Sequence, residues 1–431
     1  MEIEKWVIEV NNEVESMPDT LAELEQWKKT CIYRLPAYVT DLDDKAYKPQ
    51  IVSLGPYHQG KPHLKPMDEH KHRALLHFLK RSEKPLQLYV EALAQSVQEL
   101  KDAYDQLDPV WQDDNAAFLK MMVLDGCFIL EILRMDTSGY APNDPLFNKH
   151  GQLYMLPFLR QEMLLLENQV PLLVLLKLLA VENKISWIEP HEYANELILR
   201  FYYSGTPPRS LGNCLHILDV YRKSLIYGDP RRFQMSSRYR PSHPNAYDLI
   251  PSARELQNAG IRFKKSKFAN LRDISFHGKT LRLPKFIVDT DTKSILLNLI
   301  AFERFHVDAG NEITSYVFFL YNLIRDPTDV RVLSSHGIIS NCLGSDLEVA
   351  SLFNLVSQYV TVDPESSLDM VHLMVSEKLS NRFTRTMNEW QSEFIRTYFK
   401  SPWAVISVIA AILLFSLTII QTVYSVLSYR K

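Results

Sequence analysis

The stretch that decides the fold runs from Trp403 to Leu427 and reads WAVISVIAAILLFSLTIIQTVYSVL. It contains no Asp, Glu, Lys or Arg. As a helix rising about 1.5 Å per residue it extends over roughly 37 Å, enough to cross a hydrocarbon core of about 30 Å. Fourteen of its residues are Leu, Ile, Val or Phe, and together these favour insertion by roughly 4 to 8 kcal/mol. The sequence therefore predicts a transmembrane helix here.

Polar and aromatic residues at the ends of this stretch fit the prediction. Trp403 lies at one end, and Tyr424 and Tyr429 lie toward the other, as in the aromatic belts of membrane spans. The Ser and Thr hydroxyls can donate to carbonyl groups of the same helix, which offsets their cost in lipid. Basic residues flank both ends, so the positive-inside rule does not decide the orientation. Because few residues follow Leu427, we expect a C-terminal tail anchor.

The rest of the chain has the composition of a globular protein. It has 431 residues in total, 46% of them hydrophobic and 23% charged, and a net charge of −3 gives no indication of nucleic-acid binding. The opening MEIEKWVIEV is acidic and lacks a long apolar run, so we predict no signal peptide. The cysteines are far apart, at Cys31, Cys127, Cys214 and Cys342, and no Asn-x-Ser/Thr sequon occurs. These features favour reduced thiols and a body that faces the cytosol, at the plasma membrane or an endomembrane.

The hydrophobic periodicity of the body is mainly helical. Helices are predicted over 68–81, 86–107 and 115–135, and 51–54 has the pattern of a short strand. The main β pattern comprises GIRFKKS, LRDISFHGK and TLRLPKFIVD, with a hairpin turn predicted at His277-Gly278. The predicted fold class is α+β: a predominantly α-helical body with a small antiparallel β-sheet, plus one C-terminal transmembrane helix.

Four regions follow from this interpretation. They are an N-terminal helical extension at 1–30, a globular body at 31–376, a membrane-proximal amphipathic helix at 377–400, and the transmembrane helix at 403–427. In the first helix, Ile3, Trp6, Val7, Val10 and Val14 share one face. We expect this helix to pack into the core, and an exposed docking arm is the alternative.

A second apolar segment, MLPFLRQEMLLLENQVPLLVLLKLLA at 155–180, is predicted to be buried in protein and not in lipid. Glu162, Glu167 and Lys177 would each be costly in a bilayer, and Pro171 divides the segment into two short helices. Asp125 and Glu131 also lie in an apolar run. Since buried carboxylates need partners, we expect them to bond to nearby backbone or to arginine.

The sequence from Gly55 to Lys61, GPYHQGK, fits the spacing of a phosphate-binding loop. Such a loop also needs Ser or Thr after the lysine and a helix that begins there. Here Pro62 follows Lys61, and Pro56 removes one of the backbone amides that would hold a phosphate. A proline-stiffened turn is the favoured interpretation, and a nucleotide- or phosphate-binding site is the alternative.

Two further patterns have weak chemical interpretations. FIVDTDTKS at 286–294 has the strand-end Asp-x-Asp of aspartate-nucleophile phosphatases, but Lys293 stands where that motif has Thr or Val, so Asp291 is better explained as a helix cap. Five histidines crowd one region without the spacing of a zinc site, and solvated or hydrogen-bonded rings are the default interpretation. They are His58, His63, His70, His72 and His77.

Two basic segments could contact a membrane surface. One is the loop with Arg231, Arg232, Arg238 and Arg240, for which a solvated loop is the favoured interpretation and a lipid-surface module the alternative. The other is the membrane-proximal helix, whose aromatic face suits an interfacial helix and a helix packed on the body equally well.

Blocks along nearly the whole chain resemble the plant DUF247 family, also catalogued as UPF0481 proteins. They are IYRLP (32–36), YKPQIVSLGPYHQGKPHLKPMDEHKHRAL (47–75), MMVLDGCFILEIL (121–133), LLLENQVPLLVL (164–175), IPSARELQNAGIRFK (250–264), DISFHGKTLRLPKFIVDTDT (273–292), NLIAFER (298–304), TSYVFFLYNLI (314–324) and GIISNCLGSDLEVASLFN (337–354). The resemblance extends to YF-x-SPW at 398–403 and QTVYSV at 421–426. One departure is Gln161-Glu162, where the family usually has Arg-Asp, which puts a salt bridge of that arginine in doubt.

The resemblance implies a plant protein with a single membrane span and no assigned catalytic activity. Some grass members of the family are pollen-side determinants of self-incompatibility. The family supplies no catalytic, cofactor or metal motif to transfer, so we predict no such residues. We therefore expect a membrane-anchored interaction protein that contacts lipid through Trp403 to Leu427, binds an unidentified protein partner, needs no cofactor, and forms a homo- or heterodimer. An enzyme or phosphate-binding protein with a site near Gly55 to Lys61 is the alternative.

Overall fold

The computed structural model describes residues 2–17, 19–41, 43–183, 190–203, 210–228, 250–267, 270–360, 375 and 402–429. The helices before the strands are α1 Glu2–Glu15, α2 Thr20–Lys29, α3 Ala37–Thr40, α4 Pro66–Ser82, α5 Leu86–Ala94, α6 Val97–Asp102, α7 Pro109–Asp113, α8 Asn115–Arg134, α9 Lys149–Tyr154, α10 Leu156–Glu162, α11 Leu172–Asn183, α12 Pro190–Tyr202, α13 Ile217–Ile226 and α14 Ala253–Asn258. The strands are β1 Arg262–Lys265, β2 Ser275–His277, β3 Thr280–Leu283, β4 Phe286–Val288 and β5 Ile339–Asn341. The later helices are α15 Thr292–Phe305, α16 Glu312–Leu323, α17 Pro327–Ser335, α18 Asp346–Val356 and α19 Pro402–Tyr429. Short 3₁₀ turns occupy Asp44–Ala46, Leu166–Asn168, Val307–Ala309 and Ser357–Tyr359.

The central helix of the core is α8. The carboxylate of Asp114 accepts a hydrogen bond from the Ala117 amide at 2.9 Å and so caps its first turn. Fourteen of its twenty residues are buried, because α4, α5, α11 and α12 pack around it. This confirms the predicted helix at 115–135, and α4 confirms the one at 68–81. The predicted single helix at 86–107 is wrong, since Ser96 leaves the helical conformation and begins α6.

The apolar segment at 155–180 is buried in protein, as predicted. It forms α10, a 3₁₀ turn and the start of α11, and Leu159, Leu166 and Leu178 are completely buried. The pair Leu156–Glu162 and Leu166–Glu182 has the combined length and apolarity of a membrane span but is bent by 105°. The packing of this segment against α5 and α8 accounts for its apolar character.

The β structure differs from the predicted small antiparallel sheet. β2 and β3 form the predicted antiparallel hairpin, with His277 paired to Thr280, but β1 adds to the other side of β3 in parallel. β4 leaves this sheet and pairs in parallel with the distant β5. Pro284 separates β3 from β4, and because proline has no amide hydrogen to donate, the strand cannot continue through it. The β4–β5 pair lies among α15, α16, α17 and α18, which form the second half of the core.

The predicted core position of the N-terminal helix is wrong. Among the described residues, α1 buries none of its own side chains. Its apolar face is open, with Ile3 75% and Trp6 63% exposed. A docking arm, the other interpretation of this helix, is consistent with that exposure.

The C-terminal helix α19 has 28 residues. Its described side chains, including Leu414 and Phe415, are exposed. The hydroxyls of Ser416, Thr418 and Thr422 donate to the carbonyl groups four residues earlier at 2.7–2.8 Å, as the sequence indicated. Among the residues whose side chains are described, no single helix is both long and apolar enough to cross a membrane. Within α19, the apolar helix formed by those residues is Ile409–Val423.

Candidate functional site

The segment from Gln50 to Val52 is held by a buried carboxylate and not by a neighbouring strand. Glu162 Oε1 accepts hydrogen bonds from the Gln50 and Ile51 amides at 2.5 and 2.7 Å, and Oε2 accepts one from the Val52 amide at 2.7 Å. The strand predicted at 51–54 is therefore wrong, because side chains supply the hydrogen bonds that a strand neighbour would supply. Burial raises the pKa of Glu162, and the three amides oppose that shift. Glu162, which stands where the resembled family has Asp after an arginine, thus has three backbone amides as partners.

The LENQ sequence at 166–169 supports the same region of the chain through Asn168 and its own turn through Gln169. Asn168 accepts a hydrogen bond from the Leu54 amide at 2.7 Å and donates to the Val52 carbonyl at 3.1 Å. Gln169 donates to the Met163 and Leu165 carbonyls. The side-chain amides of Asn168 and Gln169 are buried and hydrogen-bonded to the backbone groups around them, so this block has a packing role.

A buried ion pair fixes the start of the loop from Gly55 to Lys61. Lys71 Nζ lies 2.5 Å from Asp125 Oδ1 and also donates to the Ser53 carbonyl. Asp125 Oδ2 accepts a hydrogen bond from the Gly55 amide at 2.8 Å. Burial raises the pKa of Asp125, while the charge of Lys71 lowers it. The prediction that Asp125 bonds to backbone is confirmed, although its charged partner is a lysine and not an arginine.

A similar carboxylate at Glu131 confirms the arginine prediction. Arg81 and Arg134 both pair with it, and the hydroxyl of Tyr140 donates to it at 2.9 Å. Arg134 also pairs with Glu182 of α11. These ion pairs connect α4, through Arg81, and α11, through Glu182, with the C-terminal end of α8.

The loop from Gly55 to Lys61 does not have the geometry of a phosphate cradle. The Gly55 amide is already bonded to Asp125, and no helix begins until α4 at Pro66. Gly55 has φ +73°, and an added Cβ would lie 2.6 Å from the carbonyl oxygen of Gln169. The glycine is therefore needed for a left-handed turn packed against the core.

The same loop does bring together a lysine, a histidine and a glutamate. Lys61 Nζ lies 2.7 Å from His58 Nδ1, and His58 Nε2 lies 3.2 Å from Glu167 Oε2. The second oxygen of Glu167 accepts a hydrogen bond from the Leu35 amide at 2.7 Å, which fixes the carboxylate. Burial lowers the pKa of His58, with Glu167 opposing it. Burial, followed by the charge of Lys48, lowers the pKa of Lys61.

Sequence reasoning singled out Lys61 and His58 for other reasons and missed their link to Glu167. Two features of the sequence could have indicated this link. They are the three-residue spacing of His58 and Lys61 within a turn, and the single acidic residue, Glu167, in the apolar block around LENQ. Lys71 was also missed, although a lysine on the apolar side of α4 indicates a buried partner.

The Asp-x-Asp sequence after β4 forms the start of α15. Asp289 Oδ1 accepts hydrogen bonds from the Thr292 amide and hydroxyl at 3.0 and 2.7 Å. Asp291, the predicted cap, occupies the N-cap position but makes no capping hydrogen bond. The capping role therefore belongs to Asp289. Lys293 pairs with Asp43 at 2.5 Å.

The histidines at 58–77 lie in separate surroundings. His70 Nδ1 contacts Arg73, and the ring of His77 stacks on Tyr140 with centroids 3.9 Å apart. Across the described ranges, no group of three or more His, Cys, Asp or Glu side chains has the arrangement of a metal site. The basic loop with Arg231 to Arg240 and the membrane-proximal helix at 377–400 lie outside the described residues.

Comparison with known proteins gives one family. The DUF247 family model, described as a plant protein of unknown function, matches residues 32–417. The UPF0481 protein At3g47200 of Arabidopsis thaliana is 31% identical over 96% of this chain and 89% of its own length. The Putative UPF0481 protein At3g02645 of the same plant is 21% identical over 97% of this chain and 94% of its own length. No solved structure matches the chain.

Proposed function

Because the chain belongs to the DUF247 family of plant proteins, whose function is unknown, we propose that it is a membrane-anchored interaction protein. The helix α19 holds the body at a bilayer, and the body recognises another protein, with α1 as the docking arm. No catalytic step and no cofactor is part of the proposal. The setting is recognition or signalling, for which the resemblance to self-incompatibility determinants offers pollen recognition as one example.

The observation that carries the proposal is the apolar surface of α19. The consecutive residues Ile412, Leu413, Leu414 and Phe415 are 59–69% exposed. Successive helix residues are about 100° apart, so four of them cover every side of the helix. A helix that is apolar on all sides needs protein or lipid around it. The Ser and Thr hydroxyls bond within the helix and need no water.

The support for a protein partner is the open face of α1. Ile3, Trp6, Val7 and Val14 are exposed at helical spacing, and five Glu against one Lys surround them. An exposed apolar stripe of this kind marks interaction surfaces. The acidic flanks favour a partner helix with an apolar stripe flanked by Lys or Arg, because opposite charges steer such pairs together.

The proposed orientation places the body in the cytosol, at the plasma membrane or an endomembrane. All four cysteines are free, and three of them are buried, which suits a reducing compartment. In the bilayer, the small residues Ala410, Ala411 and Ser416 would allow close approach of a second helix, and so a homo- or heterodimer.

The docking proposal can be tested with a photo-crosslinking residue placed on either face of α1 in plant membranes. Placement at Val7, on the apolar face, should give a discrete cross-linked product, whereas placement at Asn12, on the opposite face, should not. Equal products from both positions would contradict a docking face. Micromolar nucleotide binding that is lost in Lys61→Ala would instead support the phosphate-binding alternative.

A further inference from the structure

The side chains of Lys61, His58 and Glu167 form a line that no part of the proposed function uses. While Lys61 carries its proton it has no acceptor atom, so in that state His58 Nδ1 accepts the hydrogen bond from Lys61 Nζ across the 2.7 Å contact. His58 is then neutral, with its proton on Nε2, facing the Glu167 carboxylate at 3.2 Å. His58 Nε2 is not aligned for a hydrogen bond to that carboxylate, so Glu167 acts on the ring through its charge. An amine in contact with a base that lies beside a carboxylate is the arrangement of an activated nucleophile.

The surroundings make Lys61 accessible while His58 stays protected. His58 is only 2% exposed, whereas Lys61 is partly exposed at the end of the turn. On the neighbouring Gly60, an added Cβ would meet no atom within 4 Å, so the turn is open on that side. A small reagent can therefore approach Nζ without displacing the core.

The charged groups around Lys61 carry both signs, and burial is the main cause that favours its neutral amine. Those that face it are Arg34, Asp44, Lys48, His58 and Glu167. Asp44 is paired with Lys48 at 2.5 Å, and Glu167 is bonded to the Leu35 amide. Burial, followed by the charge of Lys48, lowers the pKa of Lys61, while Glu167 and Asp44 oppose that shift, so a larger share of this amine than of an exposed lysine is unprotonated near neutral pH.

We propose that Lys61 is a nucleophilic lysine that an activated acyl donor, an acyl phosphate or an acyl thioester, modifies, with His58 as the base and Glu167 as the positioning residue. The lone pair of Nζ attacks the acyl carbon, and a C–N bond forms. The bond from the acyl carbon to the phosphate or thiolate leaving group breaks, and that group departs with the electron pair. The proton from Nζ passes to His58 Nδ1 and then to solvent, and while His58 is charged its other ring nitrogen, Nε2, faces the Glu167 carboxylate. The product is an Nε-acyl lysine without positive charge.

The test measures acylation of the full chain in detergent micelles. The probes are acetyl phosphate and, in a separate arm, acetyl-coenzyme A, which distinguishes the two donor sources. Peptide mass spectrometry gives the rate at Lys61 relative to the exposed Lys65. We expect Lys61 to react at least about 10-fold faster with one donor, and its rate to rise at lower pH than that of Lys65.

Variants separate the base from the accessibility of the lysine. His58→Asn keeps an acceptor near the Nδ1 position but cannot take up the proton, so the rate at Lys61 should fall about 10-fold or more. Glu167→Gln should shift the pH profile of acylation, which a merely structural role would not do. Equal rates and pH profiles for Lys61 and Lys65 in the native chain would overturn the proposal. A folded His58→Asn chain with an unchanged rate would also overturn it, and if that variant does not fold, the native comparison decides.

Discussion

Replacing Lys71 with methionine should strongly destabilise the body. Lys71 and Asp125 are 3% and 1% exposed, and their charged atoms lie 2.5 Å apart. Removing the lysine leaves a buried carboxylate without its cation, which typically costs about 3–5 kcal/mol. We expect Lys71→Met to lower the free energy of unfolding by about that amount. Urea denaturation of the full chain in detergent micelles, followed by circular dichroism, measures it.

The matched control is the double variant Lys71→Met/Asp125→Asn. In the native chain the Gly55 amide donates to the Asp125 carboxylate at 2.8 Å. An asparagine oxygen can still accept that hydrogen bond, and the asparagine carries no charge that would be left unpaired. The double variant should therefore be more stable than Lys71→Met alone by about 2 kcal/mol.

The pH dependence provides a second readout of the same pair. Burial raises the pKa of Asp125, and removing Lys71 raises it further. In Lys71→Met the folded chain then binds a proton more tightly than the unfolded chain, so the loss of stability should grow as pH rises. Equal losses in the single and double variants, or a loss independent of pH, would refute the reasoning.

Three other substitutions test the remaining contacts, each by the free energy of unfolding. Glu162→Gln replaces one carboxylate oxygen with a nitrogen that cannot accept, so one buried backbone N–H loses its acceptor. The variant should lose about 1–3 kcal/mol of unfolding free energy. An unchanged denaturation midpoint would contradict the observed hydrogen bonds. Gly55→Ala should cost more than Gly60→Ala, because both have positive φ but only the former places a Cβ 2.6 Å from the Gln169 carbonyl; equal losses would argue against that close approach. Burial lowers the pKa of His216 to about 4, against an ordinary value of about 6.5, so about 3 kcal/mol of stability should be present above about pH 6.5 and lost as pH falls toward 4. His216→Asn, which keeps an acceptor for the cap of α13, should lack that part of the pH dependence, and an unaltered dependence would show that His216 is not its source.

The sequence was most informative where local signals agreed. The continuous apolar run of α8 follows an Asp that caps it, so both its existence and its burial could be predicted. The segment at 51–54 has the composition of a strand, but its amides bond to Glu162, more than a hundred positions away. Local propensity does not reveal such a partner.

Distant pairings also explain the errors in the sheet and the candidate site. β4 and β5 are about fifty positions apart, and their parallel register depends on the packing of the intervening helices. The link between His58 and Glu167 likewise joins the loop before α4 to the turn before α11. The spacing of Gly55 and Lys61 matched a phosphate loop, whereas the distant and buried Asp125 already accepts the hydrogen bond of the Gly55 amide.

The most direct test of the central claim is alkaline carbonate extraction of plant membranes that contain the full chain, alongside a chain that ends before α19. If α19 is a membrane anchor, the full chain stays in the pellet at high pH and the shortened chain moves to the supernatant. Release of the full chain into the supernatant would contradict the anchor and the localisation that depends on it.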